Sequence, residues 1–281
     1  MSPRRKGILY IVAAALLWSS GGIGIKAIAD PALKVTFYRS LFAAITLLLL
    51  FRGKTLRRPT PTFLVAVICY GACLTSFVVA TKWTTAANAI FLQYAGAIWV
   101  LLLSPLVLRE PMRSRDVIAI SVAIAGMALF FVGKFEAKGM AGNAMALTSS
   151  VFFAGLILAL RREHGASESA VTWGNVVLSL GLLPFVANDL ALTPKSFGVL
   201  AGLGIFQIAF AYALFVRGLK HVSATQASLT GMLEPIANPL WVFLVIGEKP
   251  SAFAIGGAAI VLAAIAWHTL GGSEPAAEMQ V

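Results

Sequence analysis

The sequence predicts an all-α integral membrane protein of ten transmembrane helices, laid out as two inverted five-helix repeats. Three observations predict it. Hydrophobic residues make up 59% of the 281 and charged residues 12%, with a mean hydropathy of +0.88, which leaves too little polar material to coat a soluble globule. The chain divides into ten apolar runs, each long enough to cross a bilayer. Residues 82–110 also superpose without a gap on residues 220–248, pairing Lys82 with Lys220, Ala86 with Ala224, Ala89 with Ala227, Ile98 with Ile236, Leu102 with Leu240 and Glu110 with Glu248. Thr85 opposite Ser223 and Asn88 opposite Gln226 keep the chemistry while changing the residue. This is the signature of an internal duplication.

In order, the runs are 7–29, 34–51, 61–81, 85–108, 114–133, 139–160, 168–187, 195–216, 222–246 and 251–270. The first follows a basic start, MSPRRK, but continues to about Ala29 without a cleavage signal, so it reads as a retained helix. The repeats are expected at 1–136 and 137–271, followed by a polar, disordered tail over 272–281. Cys69 and Cys73 lie four apart in one run and read as packing residues, so neither a disulfide framework nor a metal or cofactor site is expected.

Basic residues set the orientation. Alternate breaks place fourteen Lys and Arg on the side of Arg4, Arg5 and Lys6, and seven on the other, Lys195 and Lys249 among them. Both termini are then cytoplasmic. Because five helices per half is an odd number, equivalent loops face opposite sides, which makes the repeat inverted. The net charge of +11 is spread over short breaks and forms no patch, so a nucleic-acid partner is not expected.

Glu234 is the central functional candidate, twelve residues from either end of the run 222–246 and therefore near the midplane, where ionisable groups are costly. Pro235 and Pro239 predict a bend beside it, with freed carbonyls that a neighbour, a cavity or a ligand must satisfy. The acid either balances a substrate ammonium, carries a coupling proton, or bonds to the bent backbone. Trp18, with Ser19 beside it, Trp99 and Trp241 lie inside spans; Trp241 shares a helical face with Glu234. These rings either wall a cavity or pack between helices. Asn88, Tyr94, Gln207, Tyr212, Gln226 and Asn238 offer polar groups where water is scarce, for interhelical bonds or for a ligand. Arg39 has two readings, snorkelling outward or pairing with a substrate carboxylate, of which the structural one is preferred.

Leu17 and Trp18 in the first helix, Arg39 in the second, the pattern Ser223, Ala224, Ala227, Leu229, Glu234, Pro235, Pro239 in the ninth, and Glu110 and Glu248 closing each fourth helix resemble the drug/metabolite transporter superfamily, EamA type. Within it the chain looks most like the YddG-type exporters of aromatic and other neutral amino acids. Gly96 and Ala97 stand where the second half has Glu234 and Pro235, so the halves contribute unequally to a site. The resemblance implies a monomeric exporter of a small neutral or zwitterionic metabolite, an amino acid foremost, working by alternating access in a bacterial inner membrane. Another metabolite or a drug is the alternative cargo. A phosphorylated cargo would call for several midplane cations, and Arg39 is the one Lys or Arg away from the ends of a run. An intramembrane enzyme is disfavoured because His164, His221 and His268 all fall at helix ends, away from any catalytic cluster. A channel would not need the bent, acid-bearing ninth helix.

Overall fold

The computed structural model describes residues 1–55, 59–132, 139–163, 166–237 and 251–271. All regular structure among them is helical. In order come α1 (Pro3–Trp18), α2 (Gly21–Lys26), α3 (Ala32–Phe51), a short 3₁₀ turn (Arg52–Thr55), α4 (Pro61–Trp83), α5 (Ala86–Gln93), α6 (Gly96–Val107), α7 (Ser114–Phe130), α8 (Met140–Arg162), α9 (Ser167–Val186) and α10 (Pro194–Gly202). A π-helical stretch (Leu203–Phe210), α11 (Ala211–Leu219), α12 (Ala224–Gly231), a further helical segment at 233–237 and α13 (Ala252–Leu270) complete the bundle. Eight of the ten expected runs are long and apolar enough to span. The fifth is α7, 17 residues long, and the ninth is described only to residue 237. Helices overrun the apolar runs at charged ends, as at Pro3 and Arg162, because long basic side chains reach the interface while their backbone stays helical.

The duplication is visible in the backbone. Thr85 caps α5 by accepting from the Asn88 amide at 3.0 Å, and Ser223 caps α12 by accepting from the Gln226 amide at 3.1 Å. Both helices then break in the same register, at Tyr94 and at Met232. Packing follows the same exchange of halves: α4 lies along α8 as α11 lies along α1, α6 meets α8 as α12 meets α1, and α3·α9 and α7·α13 pair equivalent spans. Small residues permit the closest approaches. A Cβ at Gly7 would come within 3.0 Å of the Gly218 carbonyl oxygen, and one at Gly142 within 2.7 Å of the Thr84 nitrogen.

Charged groups gather at the two ends. At the end carrying the N terminus, Glu110 pairs with Arg161 at 2.9 Å and accepts from the Ala224 amide at 3.0 Å, so the acid closing α6 caps α12. At the opposite end Lys34 lies 2.8 Å from Asp189 and 3.3 Å from Asp30. Burial alone would push the Asp30 carboxyl up, but the Ser196 hydroxyl and the Lys34 ammonium outweigh it and hold Asp30 below the usual carboxylate range.

Candidate functional site

Four spans lose regular α-helical form inside the bundle. The first breaks at Ser19 and Ser20, the fourth at Tyr94 and Ala95, the eighth widens into the π-helical stretch, and the ninth breaks at Met232. Irregular backbone at membrane depth is tolerated where protein or a cavity satisfies it. The ninth break has a direct cause: Pro235 lacks an amide proton and crowds the carbonyl four residues earlier, that of Gly231. The Tyr94 hydroxyl satisfies that carbonyl at 2.7 Å. The freed acceptor expected beside the proline is thus met by a neighbouring helix.

The breaks surround a cavity of about 30 Å³, room for roughly two water molecules. Trp18, Phe153 and Tyr212 form its aromatic wall, Cys73, Leu74, Phe77 and Ile208 fill the sides, and Arg39, Gln93, Gln207 and Glu234 supply the polar groups. The Trp18 ring meets Tyr212 at 5.1 Å between centroids and Phe153 at 6.2 Å, both edge-on. An amino-acid-sized molecule does not fit this volume.

Arg39 and Glu234 face the same cavity without an ion pair between them. Arg39 is 2% exposed and donates from Nη2 to Gln207 Oε1 at 2.6 Å; its Nε is buried with no partner among the described residues. It does not snorkel. The preferred sequence reading is corrected, because Arg39 lies on the bundle-facing side of α3, opposite the π-helical stretch, and that stretch provides an acceptor at its depth. Among the described residues the Glu234 carboxyl has one hydrogen-bond partner, the Tyr94 hydroxyl, 2.7 Å from its Oε2. One phenolic proton cannot serve both Glu234 and the Gly231 carbonyl. Both contacts are satisfied when Tyr94 donates to Gly231 and a protonated Glu234 carboxyl donates to the Tyr94 oxygen.

The other expected site residues separate. Trp18, Gln207, Tyr212 and Glu234 line the cavity, and Tyr94 stands behind Glu234. Ser19 is buried but spends its hydroxyl on the Leu16 carbonyl at 2.6 Å. Trp99 is 41% exposed on the outside of α6, away from the cavity, because the break at Tyr94 and Ala95 resets the face that α6 presents. Asn88 bonds Thr84 and Asn143 near the end opposite the N terminus, and Gln226 bonds Arg4 and His268 near the other. Asn238 and Trp241 lie outside the described residues. Arg39, whose second sequence reading was a carboxylate partner, and Gln93 also line the cavity; Cys73 and Phe153 are cavity residues that the sequence did not single out as ligands.

Comparison with known proteins places these features in context. The profile of the EamA-like transporter family matches twice, over residues 5–132 and again over 140–270. An uncharacterized transporter of Archaeoglobus fulgidus is 26% identical over 269 residues, covering 94% of this chain and 97% of that protein. The pseudopaline exporter CntI of Pseudomonas aeruginosa is 28% identical over 274 residues, covering 93% and 95%. A solved crystal structure sharing 18% of residues superposes with a TM-score of 0.82 over 94% of this chain and 96% of that one, and shows the same fold.

Proposed function

The chain belongs to the EamA-like transporter family, which makes it a membrane transporter and not an enzyme, and from that premise we propose that it exports small neutral or zwitterionic metabolites, aromatic and hydrophobic amino acids foremost. The observation that carries this reading is the single cavity holding a buried guanidinium, a buried carboxyl and an aromatic wall. A zwitterion meets each of these needs. Its carboxylate takes the free edge of Arg39, its ammonium takes Glu234, and its side chain lies along Trp18, Tyr212 and Phe153. The arriving ammonium displaces the proton that Glu234 holds in the empty site, so cargo and proton exchange at one carboxyl.

The movement is alternating access between inverted halves at 1–136 and 137–271, hinged at the breaks around the cavity. The protein works as a monomer in a bacterial inner membrane, with both termini cytoplasmic. The relative that exports pseudopaline supports the outward direction and supplies a second cargo to test. In proteoliposomes, counterflow with a panel of labelled amino acids and pseudopaline is expected to saturate, with aromatic and large aliphatic amino acids competing best. Counterflow of none of them would end the reading.

Orientation has its own test. Lys195 is exposed in the first turn of α10, on the side that the charge count puts outside. A Lys195→Cys variant in a background without Cys69 and Cys73 is expected to react with an impermeant maleimide on intact spheroplasts. Labelling only after membrane disruption would reverse the topology.

A further inference from the structure

At the end carrying the N terminus, outside the cavity, lies a buried polar cluster that the transport site does not use. His268, near the end of α13, is 5% exposed. Its Nε2 is 2.6 Å from Asp116 Oδ1 on α7, and its Nδ1 is 2.9 Å from Gln226 Oε1 on α12. The amide orientation of Gln226 is set by its other neighbours. Arg4 Nη2, which can only donate, meets Oε1 at 3.2 Å, while Nε2 donates to Thr230 Oγ1 at 3.1 Å and Thr269 Oγ1 at 3.3 Å. Both ring nitrogens therefore face acceptors. A neutral imidazole with an ionised Asp116 would aim a lone pair at an oxygen on one side or the other, whichever tautomer it took. The arrangement closes only with one more proton, on Nδ1 or shared between Nε2 and Asp116 Oδ1.

We infer that His268 and Asp116 form a proton-binding site that ties the ninth span, and with it Glu234, to the fifth and tenth. Among the described residues the charged groups around it are one acid, Asp116, which favours a retained proton, and the arginines Arg4, Arg113 and Arg115, which oppose it. From α7 come Asp116, whose Oδ2 accepts from the Arg113 amide at 3.0 Å, and the side chains of Arg113 and Arg115; Arg115 is turned away onto the Trp267 ring and the carbonyls of Trp267 and Gly271. From α1 comes Arg4, held on the Thr269 carbonyl at 2.9 Å; α12 presents no charged residue, and α13 none besides His268. The other half of the bundle is built without such a cluster. Arg113 and Ser251 cap α7 and α13 in the same 138-residue register, which puts Ala254 and Phe130, both buried and apolar, at the equivalent places in the other half of the bundle. Loss of the proton leaves a lone pair against Gln226 or Asp116 and weakens the α12–α13 link, which is then left to Gln226 Nε2 and Thr269 Oγ1, loosening the half of the ninth span that leads to Glu234. The inference stands on hydrogen-bond geometry and does not depend on the identity of the cargo.

The test uses the full chain in nanodiscs, ¹⁵N-labelled at histidine, with signals assigned by His164→Gln and His221→Gln so that His268 itself stays intact. At pH 6 the His268 signal is expected to show both nitrogens protonated, or one protonated and one in a short shared bond. Raising the pH to about 8.5 should convert it to a neutral ring. Over the same range, amide exchange across 224–231, corrected for the intrinsic pH dependence of exchange, should lose protection by tenfold or more, and His268→Gln should flatten that response. A single neutral tautomer at pH 6, or equal protection of 224–231 in the wild-type protein at both pH values, would overturn the inference even where His268→Gln fails to insert.

Discussion

Glu234→Gln is expected to insert and fold, and to lose cargo transport by on the order of 5- to 150-fold, the equivalent of about 1–3 kcal/mol of lost charge pairing in the cavity. The expectation comes from the contacts of the acid. Its one hydrogen-bond partner among the described residues is the Tyr94 hydroxyl, which already serves the Gly231 carbonyl, so a neutral group that donates is what the resting geometry accommodates. A glutamine amide donates to the same oxygen and keeps the size of the side chain, so the break at Met232 and the thermal midpoint should persist. What glutamine cannot do is release a proton and accept an ammonium. Counterflow should therefore fall steeply and accumulation driven by a pH gradient should fall to background. A variant that aggregates would make Glu234 a structural acid, and one that transports at the wild-type rate in both assays would remove it from the mechanism.

Much of this arrangement was legible in the chain because it rests on covalent chemistry. Pro235 deletes an amide wherever it sits, so the break beside Glu234 and the orphaned Gly231 carbonyl follow from the sequence. The ungapped match of 82–110 with 220–248 carried the caps Thr85 and Ser223 and the breaks at Tyr94 and Met232 in one register. The side a residue faces was less legible. Trp99 and Trp18 are both tryptophans inside spans, yet one is 41% exposed and the other 4%, because the break before α6 resets its rotation in a way that apolar composition does not encode. Gln226 shares a helix with Glu234, but the break at Met232 separates them and leaves Gln226 with Arg4 and His268. Arg39 was misjudged for a related reason. Its depth was readable, but its acceptor, Gln207, is supplied by a π-helical stretch that no local pattern announces.

Arg39 carries the second large expectation. A guanidinium that is 2% exposed, bonded through Nη2 to Gln207 and with its Nε unpaired among the described residues, is costly to keep unless something repays its desolvation. In the proposed cycle the cargo carboxylate does so. Arg39→Lys keeps the charge but replaces a planar fork with a single ammonium that cannot hold Gln207 and a carboxylate in the same geometry. It should weaken carboxylate-bearing cargo by tenfold or more, while the matching amine without the carboxylate is affected little. Phenylalanine and phenethylamine make the comparison: the wild-type protein should favour phenylalanine in competition counterflow, and Arg39→Lys should shrink that preference. Arg39→Met should abolish it, and should also cost about 1–3 kcal/mol of stability by leaving Gln207 Oε1 unpaired. If both variants lower the thermal midpoint while the phenylalanine-to-phenethylamine ratio stays unchanged, Arg39 is a structural cation and the carboxylate is read elsewhere in the cavity.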